Sequence, residues 1–290
     1  MIVIVNAVRT AMGGFQGSLS ACTAPDLGAV AIKEVVTRSG LQPTDIDEVI
    51  FGCVLPAGLK QGPARQAMRQ AGLPDSTGAT TINKICGSGM KAVMQAADAV
   101  KAGSAQIVVA GGMESMSNAP YLLEKARAGY RMGHGKTTDH MFQEGLEDAE
   151  TGLSMGILAQ EMADKKGYTR EQQDAFAISS LNKAVTAIQN DYFKAEIAPV
   201  TVSSRKGGVV VEQDEQPLNA KADKIPTLRP AFKKDGTITA ANASSISDGA
   251  SALVITSEEI AAERGLEAVA KVLAYASHSQ HPSEFSIAPV

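Results

Sequence analysis

Two short stretches with no polar face set the first limit on this fold. Residues 2–8 (I-V-I-V-N-A-V) and 106–112 (Q-I-V-V-A-G-G) are nearly continuous apolar runs. A strand of that kind has no side to show to water, so its sheet must be covered on both faces. Between and beside them the period changes to that of helices. Pro25 and Asp26 open a helix through Ala29, Ile32, Val35 and Val36 to a stop at Gly40. Residues 62–72 place Ala64, Ala67 and Met68 on one side and Arg65 and Arg69 on the other. Met90, Val93, Ala97 and Val100 recur at helical spacing before Gly103. With further strands at 49–54 and 79–82, strand and helix alternate. The expected class is α/β, a mostly parallel sheet between helices.

From Tyr121 to about Ala240 the alternation stops. Residues 127–140 read as a Gly-rich polar loop, and 155–166 as a helix with Ile157, Leu158 and Met162 on one side. Thr169, followed three residues on by Gln172, is a capping box opening a long helix to Gln189. Val209 to Val211 read as a strand, and 234–237 (K-D-G-T) as a hairpin turn. Leu253, Val254 and Ile255 then return to the first domain as its fifth strand, and 271–276 begin another. The expected division is a first domain over 1–118, an inserted α+β domain over 119–240, a return over 241–268 and a further domain begun at 269–290.

Chemistry concentrates at Cys86. It stands where a strand hands over to a helix, in what reads as the first turn, where unpaired N–H groups and the helix dipole favour a negative sulfur. Gly87 and Gly89 leave room for a flat carbonyl to approach. Position alone also fits a small buried core residue. Cys22, in a loop, and Cys53, in a buried strand, read as structural; three widely spaced cysteines imply no disulfide framework and fit a reducing compartment. A net charge of −4 and a pI near 5.7 argue against nucleic acid or a membrane as the main partner. No apolar run approaches membrane-spanning length, and residues 1–5 enter a strand without a leader-like pattern, so a cytoplasmic protein is expected. The Gly-rich segment 9–17 lacks phosphate-loop spacing, which argues against dinucleotide binding. Glu114 suits either a buried acid or a residue holding its turn. His134 and His140 belong to no closed ligand set, so no metal is expected.

Four strings, in order, resemble signatures of the thiolase family. N-K-I-C-G-S-G-M-K-A at 83–92 is similar to N-x-x-C-G-S-G-x-x-A, the nucleophile motif. R-T-A-M-G-G-F at 9–15, G-G-M-E-S-M-S at 111–117 and N-A-S-S-I-S-D-G-A at 242–250 resemble three others. The resemblance implies a thiolase-like fold: two α/β halves about a pseudo-twofold axis, the first carrying a loop domain that covers the coenzyme A tunnel. It implies Cys86 as the acyl-accepting nucleophile and Ser244 beside the pantetheine arm. Ser154-Met155-Gly156 stands where biosynthetic members carry H-M-G, so Met155 would line the acyl pocket while Ser154 replaces a histidine that holds pantetheine. The family's D-E-x-x-R segment is here Asp214 to Leu218 without its arginine, leaving Lys221 or Lys224 as phosphate partners.

The implied reaction is reversible condensation of two acetyl-CoA to acetoacetyl-CoA and CoA through S-acetyl-Cys86, with no cofactor beyond the CoA thioester itself. The alternatives are degradative cleavage of longer 3-ketoacyl-CoA, mildly favoured by Ser154, and a catalytically inactive fragment. A hydrolase is disfavoured, since no His/Asp pair suits one. The family's later motifs, a second cysteine, G-H-P and N-E-x-F, do not occur in these 290 residues, and His278 and His281 do not fit G-H-P. On that ground the chain is expected to stop inside the second half and to be inactive alone. The family also implies a homodimer or homotetramer.

Overall fold

The computed structural model describes residues 1–204 and 207–290. In chain order the strands and helices are β1 (Ile2–Thr10), β2 (Gly13–Gly14), α1 (Ala24–Arg38), β3 (Glu48–Gly52), α2 (Pro63–Gln70), β4 (Gly78–Ile82), α3 (Ser88–Ala102) and β5 (Ile107–Ser115). β6 (Tyr121–Leu122), β7 (Thr138–Asp139), α4 (Met155–Lys166), α5 (Arg170–Gln189), β8 (Ile197–Ala198), β9 (Val200–Ser204), β10 (Gly207–Val211) and α6 (Glu215–Asn219) follow. β11 (Ser247–Ser257), α7 (Glu258–Glu263) and β12 (Ala270–Val272) complete the series. They form two compact units: residues 1–119, 193–215 and 247–275, and residues 120–192, 216–246 and 276–290.

The first unit is built on one sheet, ordered β12-β1-β11-β5-β3-β4, with β2 beside β11 and β8 beside β1. β4, β3 and β5 are parallel, as the alternation predicts. The fifth strand departs from that pattern. It runs from Ser247 to Ser257 and lies antiparallel between β1 and β5, pairing Asp248 with Ser115 and Thr256 with Ile107. The chain reaches β11 from the second unit, not through a crossover helix, so nothing forces it parallel. Among the described strands of this sheet, only β11 and β12 oppose the others.

Alternation along the strands explains why they are apolar throughout. Val49, Phe51, Ile107 and Val109 pack with Leu27, Ile32 and Val35 of α1 and Met68 of α2. Ile50, Val108, Ala110 and Ile255 face the other way, onto Ala92, Ala96 and Ala97 of α3. Each branched side chain so buried contributes about 1.5–3 kcal/mol. Two glycines set how closely neighbouring backbones approach, one between helix and sheet and one between adjacent strands. A Cβ on Gly52 would lie 2.6 Å from Ser88 Cβ and 2.8 Å from Gly89 N, so the start of α3 rests directly on the end of β3. A Cβ on Gly111 would lie 1.9 Å from the Ser251 carbonyl oxygen of β11.

The segment 193–215 joins this unit through Arg9. Its guanidinium grips Asp214 with two bonds of 2.7 and 3.0 Å, donates to Glu196 at 2.7 Å and lies 5.0 Å from the Phe193 ring centre. Asp214 also accepts the Met12 N–H (2.9 Å), and Glu215 accepts from Gly14 N, Ser18 N and Ser18 Oγ. The two acids therefore fasten the Gly-rich segment. The Ser18 and Gly14 N–H groups hold the Glu215 carboxyl below its usual range.

In the second unit α4 spans 155–166 as expected, and α5 starts from the Thr169 capping box. The turn at 234–237 closes through Gly236 N–H to Lys233 O and Ala231 N–H to Ile238 O, both 2.9 Å, yet no strands flank it. Buried Gln160 of α4 accepts the Thr237 and Ile238 N–H groups (2.8 and 3.0 Å), which a hairpin ladder would otherwise use.

Candidate active site

Cys86 lies in the link between β4 and α3, one residue before the Gly87 N-cap and not in the first helical turn. Ser88 explains the offset. Its hydroxyl donates to the Ile85 carbonyl (2.6 Å) and accepts the Lys84 N–H (2.8 Å), while Gly87 N donates to Lys84 O (3.1 Å). Asn83 Oδ1 accepts the Ile85 N–H at 2.9 Å. These bonds occupy the backbone before helix geometry can begin. They also hold Ile85 at φ +48°, left-handed backbone that costs a β-branched residue roughly 1–3 kcal/mol. The strained turn presents Cys86 outward: it is exposed, whereas Cys22 and Cys53 are buried, which removes the core-residue reading.

A cavity of about 510 Å³ opens at Cys86. Ser88 and Gly89 from α3, Gly52 from β3, Gly112 and Glu114 from β5 and residues 247–251 of β11 line it. Glu114 lines this space and holds the segment after β3 rather than its own turn, accepting from Val54 N (2.8 Å) and Leu55 N (3.0 Å), with Cys53 Sγ at 3.7 Å. Burial, then the charge and hydrogen bond of Glu114, push the Cys53 thiol up to about 12. Burial, then Asp26 and Asp248, also raise Cys22. Both stay protonated thiols, in keeping with structural roles. Sequence reading passed over Asp248: it is 1% exposed, lines the same cavity and accepts the Ser117 N–H at 2.9 Å. An acid inside an otherwise small-residue, strand-like run was the available signal.

The other expected site residues belong to the second unit. Ser154 is the half-buried N-cap of α4, its side chain making no capping bond, and Met155 is the first helical residue. The Phe232 ring packs against the next position, where a Cβ on Gly156 would lie 2.3 Å from it. Ser244 is exposed and directly follows Ala243, which lines a cavity of about 1010 Å³ in this unit. That cavity is walled by Phe176 and Leu181 of α5, by residues 216–228 and by 240–243. Lys221 and Lys224 both line it, so an apolar slot carries cations, a setting for an amphiphilic anion. The structure thus brings the two lysines to one cavity with Ser244 next in the chain, while Ser154 and Met155 sit at the start of α4 and Cys86 in the first unit. The lining by Phe176 and Leu181 went unforeseen, because α5 gives no strongly one-sided pattern.

His140 is buried with Nδ1 3.5 Å from Glu144 Oε1, and His134 is exposed. Among the described residues no group of three His, Cys, Asp or Glu side chains could hold a metal ion. No described helix is long and apolar enough to cross a membrane.

Residues 2–259 match the family model "Thiolase, N-terminal domain". The acetyl-CoA acetyltransferase of Escherichia coli is 50% identical over 290 residues, covering 99% of this chain and 74% of the relative. That of Pseudomonas aeruginosa is 48% identical over 291 residues, covering 100% and 74%. Among solved structures, the Acat5 thiolase of Ascaris suum in complex with coenzyme A superposes with a TM-score of 0.93 at 42% identity, over 99% of this chain and 73% of that one. The chain therefore spans about three quarters of the length of these relatives, and along that whole span it belongs to the thiolase family.

Proposed function

We propose that this chain carries the acyl-accepting half of an acetyl-CoA acetyltransferase. Cys86 Sγ attacks the thioester carbonyl of acetyl-CoA. A carbon–sulfur bond forms to Cys86, the bond to CoA breaks, and CoA leaves as a thiolate that takes up a proton. A second acetyl-CoA then gives up an α-proton and its carbanion attacks the acetyl carbonyl; the carbon–sulfur bond to Cys86 breaks, the α-proton ends on the released Cys86 sulfur, and acetoacetyl-CoA leaves. The observation that carries this reading is the exposed Cys86 on its strained turn, opening onto a cavity floored by glycine backbone. The names of the relatives support acetyl as the acyl group.

The second-unit cavity suits the coenzyme. Its apolar walls take the adenosine, Lys221 and Lys224 meet the phosphates, and Ser244 lies beside the pantetheine. We assign the coenzyme-covering insertion to residues 119–240, of which 193–215 fold back onto the first unit, the return to 241–268 and the opening of the second half to 269–290, whose β12 adds to the first unit's sheet. Met155 would border the acyl group. Ser154, in place of the family's histidine, favours a second reading, cleavage of longer 3-ketoacyl-CoA. A homodimer or homotetramer in the cytoplasm completes the proposal, and light scattering measures the assembly.

Intact-mass spectrometry before and after incubation with acetyl-CoA tests the central step. One added acetyl group, absent in Cys86→Ala, is expected for this half-reaction, although complete turnover is not expected of these 290 residues alone; no adduct on a folded chain overturns the acyl-accepting reading. Comparing acylation by acetoacetyl-CoA and by a longer 3-ketoacyl-CoA separates the two readings.

A further inference from the structure

In the second unit a buried carboxylate joins three wall segments of the large cavity. Asp174 of α5 is 4% exposed, and both its oxygens are used. Arg170 Nε donates to Oδ2 at 2.6 Å, and Asn242 Nδ2 donates to Oδ1 at 3.1 Å. The outer nitrogen of Arg170 donates to the carbonyls of Ile225 (3.1 Å) and Leu228 (2.9 Å), fixing the 3-10 turn Ala222–Thr227 that follows Lys221 and contains Lys224. Asn242 accepts the Thr239 N–H (2.7 Å) and donates to the Thr237 carbonyl (3.1 Å), fixing the turn that leads into Ser244.

Charge and geometry say why these residue types are needed. A guanidinium reaches a carboxylate and two backbone carbonyls together; a lysine ammonium is a single point and cannot span them. Asn242 both donates and accepts, which neither aspartate nor serine does in the same plane. Asp174 touches neither the cavity lysines nor Ser244 in any described bond, so whatever it does for a ligand it does by placing other groups.

We propose that Arg170, Asp174 and Asn242 are positioning residues for the coenzyme: Arg170 sets Lys221 and Lys224 against its phosphates, and Asn242 sets Ser244 against its pantetheine arm. This rests on the reading that the cavity takes a CoA thioester. The lysines are exposed and mobile by type, so a fixed turn beneath them turns loose charge into a placed one. Arg170→Lys keeps the partner of Asp174 and loses the two carbonyl bonds, so CoA should bind about tenfold more weakly.

The test is a double-mutant cycle read by isothermal titration calorimetry with coenzyme A itself. Arg170→Lys is introduced into the native chain and into Lys221→Ala/Lys224→Ala; Asn242→Ala is introduced into the native chain and into Ser244→Ala. Placement predicts that each loss shrinks to under twofold once the group it places is gone. Equal losses in both backgrounds mean a merely structural role and overturn the proposal. Circular dichroism checks that each variant folds, and if Arg170→Lys does not, the Asn242 arm decides. No CoA binding by the folded native chain overturns the coenzyme reading and the proposal together. Binding with equal losses overturns the proposal alone.

Discussion

Replacing Gly52 by alanine is the sharpest probe of how the turn that carries Cys86 is held. The new Cβ would stand 2.6 Å from Ser88 Cβ, 2.7 Å from Ser88 C and 2.8 Å from Gly89 N. Ordinary carbon–carbon contact is about 3.5–4.0 Å, so the start of α3 must rise by roughly 1 Å. Two of the three obstacles are backbone atoms, and neither can rotate away. Overpacking of this kind costs about 1–3 kcal/mol. In a domain of this size that is a fall in Tm of roughly 2–4 °C per kcal/mol. The effect on reactivity should be larger, because Ser88 anchors the turn that carries Cys86 through its bonds to Lys84 and Ile85. A displacement near 1 Å at a reacting atom can cost about a hundredfold in rate. The assay is the rate of Cys86 acetylation by acetyl-CoA, followed by intact mass, beside a melting curve and a titration of free CoA. Acetylation should slow by one to two orders of magnitude, with CoA affinity unchanged. Native acetylation kinetics in a destabilised Gly52→Ala protein would refute the idea that contact between α3 and β3 sets the position of the sulfur.

Further outcomes follow from other contacts. Ile85→Gly should relieve the positive-φ strain, and the flexibility gained by the unfolded chain offsets part of that, leaving stability within about 1 kcal/mol of native by urea titration; acetylation should slow because the turn loosens. Iodoacetamide near neutral pH should label Cys86 alone in the folded protein, with Cys22 and Cys53 reacting only in denaturant; peptide mass mapping reads this, and equal labelling would contradict the raised thiols. The lowered Glu215 carboxyl contributes stability above the ordinary glutamate value of about 4.3, and that contribution is lost as pH falls through the lowered folded value. Glu215→Gln should therefore flatten the acid side of the stability curve, measured by urea midpoints from pH 6 to pH 3, and an unchanged slope would count against it.

How much could be read from the residues alone depended on the range of the interaction involved. Strands with no polar face and helices with one apolar stripe are local facts, and β1, β3, β5, α1 and α4 appear where their patterns put them. Cys86 was legible for the same reason, being embedded in a contiguous string. Its offset from α3 was not, since it depends on which backbone groups Ser88 captures. The direction of β11 was also hidden: Leu253, Val254 and Ile255 are as apolar as a parallel strand, and only the route of the chain out of the second unit orients them. Arg9 and Asp214 lie 205 positions apart, so neither residue announces the other. The walls of the large cavity come from three separated segments and could be assembled only in space.

The three alanines of α3 that face the sheet carry a consequence for variation. Ala92, Ala96 and Ala97 are fully buried against the sheet, while Met90, in the first turn, is 70% exposed and Asp98 is exposed. A library randomising this helix should therefore split by face. The inner positions would accept little beyond alanine, glycine or serine, whereas the outer ones would tolerate charge, bulk or a chemical label. Met90 is thus a place where a reporter could ride within two turns of the Cys86 sulfur without disturbing the surface that supports it.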